Sequence, residues 1–164
     1  MKMSGKVISA LRASPLATNL SEAELRSLAG CGRLYEYSPG QVILEADGRD
    51  ERLFVLREGR VSVHLIMWSK GGACGGEAIF ELNQAGEPFG WTAWARPDRI
   101  AASARTVGQV SLVALDLGRL KDWQTFWHAR EWMLLKLYAR LQESGICPPN
   151  VQGLLKLKHE LQES

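Results

Sequence analysis

The chain has 164 residues, 46% of them apolar and 23% charged, with a formal net charge of +2. That balance fits one domain with its own core and excludes a disordered chain, and so small a charge gives no global field for nucleic acid. Three separated cysteines, Cys31, Cys74 and Cys147, form no disulfide framework and point to a reducing, cytoplasmic setting. No apolar run reaches the roughly 18 residues of a membrane span.

The first segment, about residues 4–31, reads as helical. Val7, Ile8 and Leu11 fall at helical spacing, and Pro15 interrupts the run. The N-terminus lacks the sustained apolar core of a signal peptide. Ser21 and Glu24 make a capping box for a second helix, whose buried stripe is Leu25 and Leu28; Gly30 and Gly32 are suitable stops.

From Arg33 to about Leu117 the texture changes to short strands between turns. RLYEY alternates, Ser38-Pro39-Gly40 is a turn, QVILEA is a short strand and Asp47-Gly48 marks another turn. RLFVLREGRVSVHLIMW reads as two strands joined at Arg57-Glu58-Gly59. A glycine-rich loop, SKGGACGGE, leads to AIFELN, and a last pair of strands, IAASARTV and QVSLVAL, flanks Gly108. Regular short strands with glycine turns predict a sandwich or barrel.

Near Asp116 the period changes again. Leu120, Trp123, Phe126, Trp127, Met133, Leu134, Leu137, Tyr138 and Leu141 recur at three- and four-residue steps. They predict an amphipathic helix of about 20–25 residues, ended by Gly145 and Pro148-Pro149. A shorter amphipathic helix, VQGLLKLKHELQ, follows. The tryptophan stripe suits three roles: lining a pocket, packing on the strands, or forming a seam with a second copy. Arg130 on the same stripe is awkward for a tight apolar seam.

Residues 86–102, GEPFGWTAWARPDRIAA, carry the most chemistry. A glycine-bounded turn runs into a short small-residue segment, and an arginine follows. Amides at the start of a short helix, closed by a guanidinium, make a pocket for one phosphate.

In this order the elements resemble the cyclic-nucleotide-binding domain family, the sensor part of catabolite activator and FNR-type regulators and of cyclic-nucleotide-regulated kinases and channels. The resemblance covers roughly residues 14–140. It rests on Ser38-Pro39-Gly40 followed by Val42-Ile43-Leu44-Glu45, on Leu53-Phe54-Val55-Leu56 with Gly59 and Val61-Ser62-Val63, on Gly86-Glu87-x-Phe89-Gly90, and on Arg99 at the place of the family's phosphate-binding arginine. It implies a mainly β fold with flanking helices. This would be a double-stranded β-helix (jelly-roll) of about eight antiparallel strands, with N-terminal helices and a long C-terminal amphipathic helix. The expected parts are an N-terminal helical segment (1–31), the cyclic-nucleotide-binding-like roll (32–117) and C-terminal helices (118–164), in one compact domain.

The resemblance also implies a non-enzymatic sensor. Its partners would be a cyclic nucleotide or other anionic small molecule and a second copy of the chain, paired through the long helix. The implied ligand-binding residues are Phe89, Gly90, Trp91, Thr92, Ala93, Arg99, Ile100 and Ala101. Segment 92–94 would supply amides and Arg99 the guanidinium. No resident cofactor or metal is expected, since His64, His128 and His159 are scattered. Too few residues follow the long helix for a helix-turn-helix module, so DNA contact by this chain alone is not expected.

Two positions depart from the family pattern. Trp91 stands where a glutamate accepts the ribose 2′-OH. An indole donates but does not accept, so about 1.5–3 kcal/mol, or roughly 10–150-fold in affinity, is forfeited. Ile100 replaces a small or hydroxyl-bearing residue beside the arginine. Arg99 reads either as an anion clamp or as a surface arginine paired with Asp98 or Glu87. Trp91 and Trp94 read either as an aromatic lining or as plugs that fill the pocket. A plugged roll would be a dimerisation or protein-interaction module rather than a sensor.

Overall fold

The computed structural model describes residues 2–46, 50, 52–67, 76–90, 100–119, 139 and 143. Two helices, α1 (Lys2–Ala13) and α2 (Glu22–Gly30), precede eight strands: β1 (Gly32–Tyr37), β2 (Val42–Leu44), β3 (Leu53–Glu58), β4 (Val61–Met67), β5 (Gly76–Leu82), β6 (Pro88–Phe89), β7 (Ile100–Thr106) and β8 (Val110–Leu115). The strands form two antiparallel four-stranded sheets, ordered β1-β8-β3-β6 and β2-β7-β4-β5. This is the expected mainly β architecture of two facing sheets. The predicted long helix, from about residue 118 to its stop at Gly145, lies outside the described residues apart from Gly118, Arg119 and the helical Ala139 and Glu143, and the closing helix over 151–162 lies outside them altogether.

The break at Pro15 is a 3₁₀ turn, Pro15–Ala17, started by Ser14, whose Oγ accepts from the Leu16 amide at 3.3 Å. Proline removes a donor, so the helix cannot run through it. The capping box forms as the spacing predicts. The Glu24 amide donates to Ser21 Oγ, and the Ser21 amide donates to Glu24 Oε2. Arg12 and Glu22 pair across the two helices.

One expectation changes. Gly30 ends α2, but Gly32 belongs to β1 rather than to the helix stop. A Cβ there would lie 2.8 Å from Val7 Cγ1 and 3.1 Å from Leu115 Cδ2, so glycine lets α1 settle on the first sheet. Val7, Ala10 and Leu11, the buried stripe of α1, join the core there. Full burial of a side chain such as Leu11 contributes about 1.5–3 kcal/mol.

Both faces of the first sheet are therefore covered. That is why Leu53–Leu56 and all six residues of β8 are buried and read as unbroken apolar runs. The second sheet has one wet face. Along β4, Val61, Val63 and Leu65 point inward, and Ser62, His64 and Ile66 are half-exposed. QVILEA yields only three strand residues, because the pairing of β2 with β7 shifts register between Val42 and Leu44. The turn before it is tied down by buried Thr106, whose Oγ1 donates to the Ser38 carbonyl and accepts from the Gln41 amide.

Candidate ligand-binding site

The residues flanking 91–99 are held on opposite sheets. On one side a tight turn delivers the chain to β6. The Glu87 carboxylate accepts from the amides of Asn83 and Gln84, both at 2.9 Å. The Gly86 amide donates to the Leu56 carbonyl at 2.7 Å, and the Leu56 amide donates to the Glu87 carbonyl at 2.8 Å. Gly86 has φ +92, a conformation that only glycine adopts without strain. Glu87 thus braces the turn.

Strand β6 then pairs with β3, Phe89 opposite Phe54 and Pro88 opposite Val55. The two phenyl rings stack with centroids 5.2 Å apart, and both are fully buried. The Phe89 side chain is therefore core. Gly90 follows at φ +98. Its Cα lies so close to Arg52 that a Cβ would come within 2.8 Å of the Arg52 carbonyl oxygen.

On the other side the chain re-enters structure at Ile100, whose backbone pairs with Met67 of β4. Ala101 and Ala102 are buried behind it. Nine residues thus span from the edge of one sheet to the inside of the other. Of the residues predicted to bind a ligand, Phe89, Gly90, Ile100 and Ala101 stand at the two ends of this span. Trp91, Thr92, Ala93 and Arg99 lie outside the described residues, as does Trp94.

A second feature of the site has no signal in the sequence. Arg52 grips Asp50 with two side-chain bonds, Nε to Oδ1 at 2.9 Å and Nη2 to Oδ2 at 2.7 Å, and its amide adds a third at 3.0 Å. The guanidinium carbon lies 5.6 Å from the Tyr35 ring centroid and 5.3 Å from that of Phe54. Partial burial pushes the Asp50 carboxyl up, but the bonds and charge of Arg52 overcome it and hold the carboxyl below its usual range.

A carboxyl lowered by folding stabilises the fold at neutral pH and stops doing so as pH falls through its folded value. The Asp50 contribution is thus present above about pH 4 and lost below it. Melting curves from pH 7 downward should show Asp50→Asn less stable than the parent at neutral pH and equal to it in acid. A gap that stays constant across the range would contradict this.

The chain matches the cyclic nucleotide-binding domain family over residues 34–123, more than half its length, and belongs to that family. No curated protein matches it. Among solved structures it is similar to the regulatory domain of Toxoplasma gondii PKA with cAMP, at 17% identity and TM-score 0.64, covering 84% of this chain and 51% of that one. It is similar to the regulatory subunit of a cAMP-independent protein kinase A from Trypanosoma cruzi bound to guanosine, at 20% identity and TM-score 0.61, covering 87% and 50%. It is also similar to the catabolite activator protein of Thermus thermophilus, at 23% identity and TM-score 0.55, covering 80% and 60%. The chain spans about half the length of the two kinase regulatory chains. At these identities the likeness is one of fold.

Proposed function

We propose that the protein is a regulatory, non-catalytic sensor whose segment 86–102 holds an anionic small ligand, a cyclic nucleotide or a related phosphate. The observation that carries this reading is the fixed pair of anchors, Gly90 and Ile100, on opposite sheets of a cyclic nucleotide-binding domain. The span between them contains Arg99 and the amides of 92–94. Trp91 supplies no acceptor for a ribose hydroxyl, so the anion half of the site outweighs the sugar half.

A ligand that binds only the folded state raises the melting temperature, by about 2.7 kcal/mol of stabilisation at 100 times Kd. The test is a thermal-shift panel of cAMP, cGMP and guanosine on the parent and Arg99→Ala. The expected result is a shift with a cyclic nucleotide that Arg99→Ala clearly reduces. Guanosine carries no phosphate, so an equal shift with guanosine would overturn the clamp. Silence across the panel would favour the interaction module.

Output through the long helix is the second part of the proposal. The Trp123, Trp127 and Leu134 stripe would pair with that of a second copy. Light scattering should give a dimer mass for the parent and a monomer mass for Trp127→Glu. A monomeric parent would remove the pairing.

A further inference from the structure

Beyond the turn that leads to Gly90, the same arginine that touches the cassette also faces outward. Arg52 lines a cavity of about 250 Å³ together with Cys31, Arg33, Tyr35, Asp116 and Arg119. The cavity lies between the end of α2, strands β1 and β8, and the 3₁₀ turn Leu117–Arg119. Three arginines line it, Arg33 and Arg119 from the exposed side. The charge of Arg52 is matched by Asp50, which grips it from the side. Among the described residues, Arg33 and Arg119 have no carboxylate within ion-pair distance. Asp116 is the opposing carboxylate, so among the described lining residues positive charge is in excess. Arginine forks suit planar or tetrahedral oxyanions better than any other side chain.

The inner wall of this cavity also backs onto Gly90 in segment 86–102, the cassette. The Arg52 carbonyl abuts Gly90, and the Arg52 guanidinium sits between Tyr35 and Phe54, which stacks on Phe89. Arg52 therefore links the wall of this cavity to the backbone at Gly90.

We propose that this cavity is a second anion site, which takes a phosphate or carboxylate group between Arg33 and Arg119, and that Arg52 transmits its occupancy to Gly90. The site itself stands apart from the cassette reading, since none of its residues lies in segment 86–102; its effect on ligand affinity rests on that reading. Filling it changes the affinity of the cassette, and filling the cassette changes its affinity by the same factor.

The test is an amide NMR titration of the full chain with inorganic phosphate and, in a second arm, acetate, each against sodium chloride at equal ionic strength. The Arg99→Ala background silences the cassette clamp. Saturable shifts at Cys31, Tyr35 and Asp116 are expected, with Gly90 moving at the same midpoint. A stronger response to phosphate names a phosphate group as the occupant, and a stronger response to acetate names a carboxylate. Arg33→Gln and Arg119→Gln should each weaken the response by about tenfold or more, the loss of one charge-assisted contact. Arg52→Lys keeps the charge but gives up the fork, and should leave the saturation while detaching Gly90 from it. Shifts that grow linearly and match those in chloride would overturn the site. So would shifts that survive both Arg33→Gln and Arg119→Gln, or that appear only with Arg99 present. A Gly90 signal that still follows phosphate in Arg52→Lys, or never follows it in the parent, would overturn the coupling.

Discussion

Gly86→Ala should lower the melting temperature by about 5–10 °C, the equivalent of about 2–3 kcal/mol in a chain of this size. Two costs combine. At φ +92 an alanine is forced into the left-handed region, worth about 1–2 kcal/mol by itself. Its Cβ would also lie 2.2 Å from the Ala13 carbonyl oxygen and 2.5 Å from the Ala13 carbonyl carbon. Backbone at the end of α1 cannot swing aside as a side-chain tip can. Relief requires either the turn or the helix to move, and the turn is held by Leu56 and Glu87. Gly108→Ala is the matched control, because nothing lies within 4 Å of its Cβ position. It should change stability by no more than about 0.5 kcal/mol. Differential scanning calorimetry of the pair distinguishes a held turn from a loose one; equal melting temperatures would mean that the turn is not seated on Ala13.

Phe89→Ala should cost about 3–5 kcal/mol, the range for removing a buried aromatic ring. Phe89 is fully buried in a two-residue strand, so little backbone pairing supports β6 once the ring is gone. The void opens beside Phe54, whose ring packs against Gly90. Phe54→Ala removes the other ring of the stack, and the two losses should not add. A coupling of about 0.5–1.5 kcal/mol belongs to the ring pair itself. Urea unfolding of both single variants and the double variant measures it. Strict additivity would mean the rings act only as separate pieces of apolar surface.

Much of this architecture was legible in the sequence, for identifiable reasons. Ser21 and Glu24 fix a helix start through contacts three residues apart, and local contacts survive translation from sequence to structure. The apolar runs LFVL and VSLVAL belong to central strands covered on both faces. The glycines at 59, 86 and 90 read as turn signals and have φ of +101, +92 and +98.

What escaped was set by distant partners. Gly32 looked like a helix stop, but its smallness serves Val7 and Leu115, one of them 83 positions further along the chain. The length of β2 was set by a register shift against β7. Asp50 and Arg52 stand in an unremarkable polar stretch, and their importance comes from Tyr35, Phe54 and Gly90 closing around them. The candidate site divides in the same way. Phe89 and Gly90 stand in the structure at the head of the span, and Ile100 and Ala101 at its foot. The chemistry assigned to Arg99 and Trp91 rests on residue type, namely a guanidinium that clamps anions and an indole that cannot accept.

Calorimetric titration of cAMP into the parent, Arg99→Ala and Trp91→Glu tests that division most directly. If the cassette keeps its anion half and has forfeited its sugar half, Arg99→Ala weakens binding by about tenfold or more and Trp91→Glu strengthens it by roughly 10–150-fold. Unchanged affinity in Arg99→Ala, or no gain in Trp91→Glu, would contradict it.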